Sequence, residues 1–363
     1  MKLTKFSWDY YDGKHYNAKA KIQNQNRITE LPSFFEFFSY VLHWNTVLMG
    51  PPIGIKRYLN HINGNLIEDS KNQFFKKTQV KPKQNDNRYK YVFKSLFVSV
   101  ISLIIVVIGQ MHFKEDFVVS DYVYSKPFYL RIFLVKFGGF LIRCKYYFGM
   151  TITIGANIVT GLNFNGFIED GSYKWDALTM INPKNIELSQ SAYEISKNWN
   201  IETGLWLQQY VYLKLTNSEN KKFRNRSIST MITFAISAIF HGFYPGYYMT
   251  FAIAALTIIT GRVLRRHFRS LFIDPKTKNS IQPGKKIYDI ICFICMIPTM
   301  DSIGIPLALM SFERIKRFFV IIAFFPILGS ILIILIFSNS FFLKFTKKLK
   351  NKNNPIKVEK KLK

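Results

Sequence analysis

The chain has 363 residues, of which 50 are Lys or Arg and 22 are Asp or Glu, so its net charge is +28, yet 48% of its residues are hydrophobic. This combination excludes disordered and collagen-like proteins, and the long uncharged runs described next argue against a soluble nucleic-acid binder. The three cysteines all lie in or beside apolar runs, so we expect neither a disulfide framework nor a zinc site.

Apolar runs of membrane-spanning length divide the chain. The first 30 residues are polar, so no signal peptide is expected. A bilayer core about 30 Å thick requires roughly 20 apolar residues in a helix. Three runs meet that requirement cleanly: residues 95–113, 227–261 and 318–343. Three weaker runs are interrupted by charges or prolines, which favours buried, re-entrant or interfacial placement: residues 31–55, 127–161 and 287–312.

The run 227–261 is longer than one span needs, and Gly242, Pro245 and Gly246 predict a break within it. The sequence therefore predicts an all-α, polytopic membrane protein with six to eight membrane helices. Its domains are a single membrane domain over residues 1–345 and a basic cytosolic tail over residues 346–363. No internal repeat is visible.

An aromatic stripe is predicted in residues 197–215. Read as a helix, this segment places Trp199, Thr203, Trp206 and Tyr210 on one face, with Asn200 beside them. Such stripes serve in packing or interfacial anchoring more often than in chemistry.

His241 lies inside an otherwise uncharged run, so we expect it to face protein or a water-filled cavity. Its ordinary pKa near 6.5 suits a proton acceptor, although a hydrogen-bonded structural histidine is an equally good interpretation of the residue alone.

Together these residues resemble the signature of the membrane-bound O-acyltransferase (MBOAT) family, and more closely its lysophospholipid acyltransferase branch. In that family an Asn follows a Trp and a His follows an apolar helix further along, and Asn200 and His241 match them. Further similar segments occur in the order that the branch has: residues 6–13, 31–40, 50–51, 145–148, 161–166, 174–176 and 237–251. The family usually carries further membrane helices ahead of residues 6–13, so either the chain is a shortened version or its start lies upstream of Met1.

The resemblance implies transfer of a fatty acyl group from acyl-coenzyme A to the free hydroxyl of a lysophospholipid, with His241 as the base and Asn200 as an oxyanion donor or an acceptor-orienting group. It implies no metal and no cofactor, because acyl-coenzyme A is the donor substrate. The candidate substrate-binding residues would either contact the phosphates of coenzyme A or line the substrate cavity. They are Trp199, Trp206, Tyr244, Tyr248, Lys214 and Arg224. The alternative for the basic residues is a solvated loop or contact with lipid headgroups, and for the tyrosines a structural role at the helix break.

Three alternatives stay open: a family member acting on a sterol, diacylglycerol or protein side chain, a shortened chain without catalytic activity, and a transporter with broken helices. The expected partners are the two substrates and the lipid bilayer, with no nucleic acid. The chain ends Glu359-Lys360-Lys361-Leu362-Lys363, which resembles the di-lysine signal read by the retrieval coat of the endoplasmic reticulum, although a Lys-rich tail can match it by chance. We therefore expect a multi-pass protein of the endoplasmic reticulum membrane.

Overall fold

The computed structural model describes residues 1–15, 26–218, 220, 222–273, 283–338 and 342. Over these residues the structure is helical, apart from turns, connecting segments and an isolated antiparallel bridge between Phe167 and Tyr173. In chain order the α-helices are α1 (Lys2–Lys14), α2 (Phe34–Val41), α3 (Trp44–Val47), α4 (Ile55–Ile62), α5 (Asn65–Thr78), α6 (Arg88–His112), α7 (Asp121–Tyr124), α8 (Phe128–Val159), α9 (Pro183–Glu187), α10 (Ala192–Asn198), α11 (Ile201–Leu207), α12 (Leu213–Thr216), α13 (Arg226–His241), α14 (Pro245–His267), α15 (Gly284–Leu309), α16 (Phe312–Ile321) and α17 (Phe325–Ser338).

The chain forms two compact units. The first consists of Met1–Gly109, Arg143–Pro183 and Lys197–Glu219. The second consists of Gln110–Ile142, Lys184–Ser196 and Asn220–Lys363.

The first unit has an aromatic and aliphatic core between α2 and α4. Tyr40 and Tyr58 are buried there with their ring centroids 5.7 Å apart, and Leu162 is fully buried in the same cluster. The Tyr40 hydroxyl donates a hydrogen bond to the Ile53 carbonyl (2.8 Å), which satisfies the one polar atom that this ring brings into the core. The core therefore holds the segment before α4 against α2.

In the second unit, α14 packs against α13, α15 and α17. Two ion pairs at the start of α16 connect it to residues ahead of α8: Arg314 bonds Asp116 and Arg317 bonds Asp121. These pairs are solvent-exposed, so each contributes little to stability.

By length and composition, three helices in the described part of the chain could cross a membrane: α6, α14 and α15. A fourth span is added if the pair α16 and α17, bent by 74°, counts as one. The number is smaller than the six to eight predicted because residues 31–55 form short helices and because α8, although 32 residues long, carries four basic residues.

The predicted break in residues 227–261 is confirmed, since α13 ends at His241 and α14 begins at Pro245. The run over residues 318–343, expected to be long enough for a span, is bent between α16 and α17. Ala323 and Phe324 both adopt φ 51°, a left-handed conformation that ends α16 and turns the chain before α17. The tail over residues 346–363, with its di-lysine end, lies outside the described residues.

Candidate active site

Backbone hydrogen bonds fasten the segment that carries Asn200 in the first unit. The Ile201 amide donates to the Met180 carbonyl (2.8 Å). The Asn182 amide donates to the Asn198 carbonyl (3.0 Å). Between these bonds Asn200 adopts φ 45° and ψ 59°, a left-handed conformation that Asn tolerates better than most residues. Its side chain does not cap α11, so its carboxamide is not engaged at the start of its own helix.

The predicted stripe of aromatic residues is interrupted twice. Trp199 precedes α11, and a π-helical turn, Gln208–Tyr212, separates α11 from α12. The Trp199 ring packs against Tyr146, with centroids 5.4 Å apart, whereas the buried Trp206 ring packs against Tyr210 at 6.0 Å. The two tryptophans therefore contact different aromatic partners and do not share one helical face.

Helix α1 lies along the same segment and contacts it through carboxylates. The Tyr210 hydroxyl donates a hydrogen bond to Asp9, and both side chains are buried. The Lys214 ammonium donates to Asp12 (2.9 Å) and lies 3.7 Å from the centroid of the Trp8 ring. Lys214 is thus engaged by α1, and its predicted contact with coenzyme A phosphates stays a prediction.

Burial controls the electrostatics of this contact. It raises the pKa of Asp9 to about 6, against the hydrogen bond from Tyr210 and the charge of Lys5, which both lower it. Burial also raises the pKa of Glu202, on α11, while Lys5 and Arg57 lower it, and it lowers the pKa of Lys5. A carboxyl group that titrates near pH 6 therefore lies beside the segment that carries Asn200.

His241 is the last residue of α13, in the second unit, directly before the turn that precedes α14. Its ring contacts Tyr247 and Phe251, with centroid distances of 5.5 and 5.0 Å, while the residue as a whole is exposed. The next residue, Gly242, has φ 115° and ψ −163°, a conformation open almost only to glycine. His241 thus packs against two rings and leaves surface that a further group could contact.

The turn is held by close backbone contact with α15. The Gly246 amide donates to the Met310 carbonyl (3.2 Å), and a Cβ atom at Gly246 would lie 2.2 Å from the Pro306 carbonyl oxygen. Pro245 occupies the first turn of α14, where its missing amide hydrogen costs nothing. Only glycine allows this approach, so Gly246 fixes where α14 begins.

The other predicted binding residues of the second unit lie on its surface. Tyr244 is 61% exposed and meets Tyr247 edge to face, and Tyr248 is 39% exposed. Arg224 is exposed, in the loop before α13. Their roles stay predictions.

Asn200 belongs to the first unit and His241 to the second, and the structure describes each in its own unit. That Asn200 and His241 act together in one reaction is therefore a prediction based on the resemblance to the family. Among the described residues no group of three His, Cys, Asp or Glu side chains could hold a metal ion.

Sequence reasoning missed Asp9 as a contact of the Asn200 segment. It used residues 6–13 only as part of the resemblance. The partner, Tyr210, lies 201 positions away, and no local pattern connects the two residues.

The model of the membrane-bound O-acyltransferase family matches residues 1–300. The chain belongs to this family. The MBOAT chain is similar to the lysophospholipid acyltransferase of Saccharomyces cerevisiae, with 31% identity over 80% of this chain and 48% of the relative. It is also similar to the lysophospholipid acyltransferase of Schizosaccharomyces pombe, with 27% identity over 86% of this chain and 60% of the relative. Membrane-bound glycerophospholipid O-acyltransferase 2 of Mus musculus is 28% identical over 88% of this chain and 59% of its own length.

The chain spans about half to three fifths of the length of these curated relatives. Family membership together with several apolar helices makes it a multi-pass membrane protein.

Proposed function

We propose that this chain transfers a fatty acyl group from acyl-coenzyme A to the free hydroxyl of a lysophospholipid. The observation that carries the proposal is the alignment with relatives named lysophospholipid acyltransferase over 80% and 86% of this chain. The family model covers residues 1–300, and this range includes the segments around Asn200 and His241 that resemble the family motif.

In the proposed reaction the acceptor hydroxyl oxygen attacks the carbonyl carbon of the thioester. His241 takes the hydroxyl proton as the new carbon–oxygen bond forms. The carbon–sulfur bond breaks, and the proton passes from His241 to the departing thiolate of coenzyme A. The thioester is already activated, so the reaction requires no metal or cofactor.

Asn200 acts on the carbonyl oxygen or on the acceptor. Its amide hydrogens donate to the developing oxyanion in the first arrangement, and they orient the glycerol hydroxyl in the second. The half-buried side chain, which does not cap α11, supports both.

The proposed substrate contacts and location follow the same reasoning. Trp199, Trp206, Tyr244 and Tyr248 would line the acyl and glycerol path. Lys214 and Arg224 would meet the phosphates of coenzyme A. The di-lysine end supports retrieval by the coat to the membrane of the endoplasmic reticulum.

The test measures acyl transfer from labelled oleoyl-coenzyme A to a panel of lysophospholipids in membranes that contain the chain. We expect His241→Ala and Asn200→Ala to lower the rate about a hundredfold or more, which is the usual contribution of a general base or an oxyanion donor. The matched controls are His112→Ala and Asn217→Ala, at exposed positions, and both should retain the native rate.

Two results would contradict the proposal. Native-like product formation by His241→Ala would remove the base from the mechanism. Product on sterol, diacylglycerol or a peptide acceptor, with none on any lysophospholipid, would assign the chain to another acceptor class of the family.

A further inference from the structure

The buried pair of Asp9 and Tyr210 joins two segments that are distant in sequence. Asp9 is 2% exposed and Tyr210 is 5% exposed, and the Tyr210 hydroxyl donates to Oδ1 of Asp9. The second carboxylate oxygen, Oδ2, is buried and makes no hydrogen bond within the described residues. A buried carboxylate with one unsatisfied oxygen is costly, so local packing alone does not account for an acid at this position.

Charged groups on two helices act directly on the Asp9 carboxyl group. On α1 these are Lys5 and Asp12, and on α12 the charge is that of Lys214. Glu202 on α11 and Arg57 on α4 act on Lys5 and complete the group. Both Lys5 Nζ and Asp9 Oδ2 approach Gly54: a Cβ atom added at Gly54 would lie 3.8 Å from Lys5 Nζ and 3.9 Å from Asp9 Oδ2. The three basic and three acidic side chains balance in charge, as in a structural network of ion pairs.

Met1 and helix α1, which follows it, hold the continuous segment from α11 to α12 at three points. Met1 Sδ lies 3.9 Å from the Thr203 hydroxyl, Asp9 accepts from Tyr210, and Asp12 accepts from Lys214. The middle contact falls inside the π-helical turn Gln208–Tyr212. Because π turns are rare and occur frequently at functional sites, a contact that holds the turn also affects the position of the neighbouring residues on this segment.

We propose that Asp9 is a positioning residue that acts through Tyr210: it holds the π-helical turn and thereby the placement of Asn200 and Trp206. The effect on catalysis rests on the proposed acyl transfer, whereas the effect on the segment does not. Asp9 touches no reacting atom in this arrangement. A misplacement of about 1 Å at a catalytic group can cost on the order of a hundredfold in rate.

The first arm of the test measures amide hydrogen exchange in the segment 201–216 of the full chain in detergent. We expect Asp9→Ala and Tyr210→Phe to raise exchange in this segment. Asp9→Asn should retain native protection, because the amide oxygen still accepts from the Tyr210 hydroxyl. Asp170→Ala, which removes an exposed carboxylate of the same unit, should leave exchange in 201–216 unchanged.

The second arm measures acyl transfer per folded molecule for the same variants and for the Asp9→Ala/Tyr210→Phe double variant. We expect kcat to fall between about ten- and a hundredfold in Asp9→Ala and in Tyr210→Phe, with KM for oleoyl-coenzyme A near native, whereas Asp9→Asn and Asp170→Ala should keep a near-native kcat. The double variant should lose no more than the worse single variant, since the two residues act as one unit. A purely structural role would reduce the folded amount and leave kcat per folded molecule unchanged.

The two arms separate the possible failures. Native exchange in the Asp9→Ala variant would overturn the inference, as would additive losses in the double variant. A native chain that forms no product overturns the proposed function instead, and the exchange measurement then still decides whether Asp9 holds the segment.

Discussion

At the scale of single residues, two positions in the first unit are held in states that cost free energy on their own. Asn200 has a left-handed backbone, and Asp9 carries a carboxyl group into a buried site. Such states persist when the surrounding structure imposes them, and they occur most often where a particular geometry is used. Asn200 belongs to the segment 197–215, and Asp9 contacts it through Tyr210.

We expect Asp9 to make stability depend on pH. Its folded pKa of about 6 lies above the ordinary value of 3.8, so the folded state binds the proton more tightly than the unfolded state. The associated stability is fully present below pH 3.8 and is lost as pH rises through 6, with a magnitude on the order of 3 kcal/mol.

The measurement is thermal unfolding in detergent between pH 4 and 8. Asp9→Asn cannot ionise, so its melting temperature should exceed that of the native chain at pH 7.5 and approach it near pH 4. Asp170 is the control, because its pKa shifts in the opposite direction: Lys83 and Ser172 lower it to about 2. Asp170→Ala should therefore not raise the melting temperature at pH 7.5. If the melting temperatures of Asp9→Asn and the native chain differed by the same amount at pH 4 and at pH 7.5, the raised pKa of Asp9 would be contradicted.

At the scale of elements, the break between α13 and α14 determines the surroundings of His241. The chain reverses through Gly242, and α14 begins against the end of α15. The sequence allowed this break to be predicted, because Gly and Pro limit backbone conformation through their own covalent structure. It did not allow the π turn to be predicted, because that turn depends on Tyr210 reaching Asp9 on α1.

The contact of α14 with α15 gives a prediction about Gly246. Replacing it with Ala places a Cβ atom 2.2 Å from the Pro306 carbonyl oxygen, so one of the two helices must shift. We expect Gly246→Ala to destabilise the protein by about 1–3 kcal/mol, the usual cost of overpacking.

The matched control lies on the same helix. A Cβ atom at Gly261 would meet nothing within 4 Å, so Gly261→Ala should be neutral or slightly stabilising. Thermal unfolding of the two variants in detergent makes the comparison. Equal melting temperatures would mean that α14 and α15 do not approach each other as closely as the structure has them.

At the scale of the whole molecule, the sequence predicted the helical class and the family, and the structure revised the membrane helices. The run that became α6 was identified from its lack of charge, which is a property of the residues themselves. The bend after α16 was not identified, because Ala323 and Phe324 carry no turn signal in the sequence and yet adopt left-handed conformations. Asn200 and His241 were identified by a motif, whereas Asp9 required the tertiary structure.

Insertion of α6 into a bilayer can be tested with one charge. Val100 lies near the middle of this helix and is 52% exposed, so an arginine there would face hydrocarbon if α6 spans the membrane. Such a charge costs about 2.5–3.5 kcal/mol at a helix centre. We expect Val100→Arg to lower the fraction of the synthesised chain that resists alkaline extraction from membranes.

Tyr89→Arg is the control, because Tyr89 is 64% exposed but lies in the first turn of α6, where an arginine reaches the membrane interface. It should leave the extractable fraction unchanged. An equal effect of both substitutions would argue that α6 does not span the bilayer.

The π turn also makes the segment after Asn200 respond unequally to a change in chain length. Its hydrogen bonds join residues five apart, so the turn accommodates one residue more than an α-helical turn would. Deleting a single residue within 208–212 would restore ordinary α-helical bonding and leave Lys214 facing Asp12, because the π turn already absorbs the rotation of about 100° that one residue adds. Deleting a single residue within the α-helical part, 201–207, would instead rotate Lys214 away from Asp12 by about 100°, although neither residue had been altered. The contact between α1 and α12 is thus specified by the number of residues between them as well as by their identity.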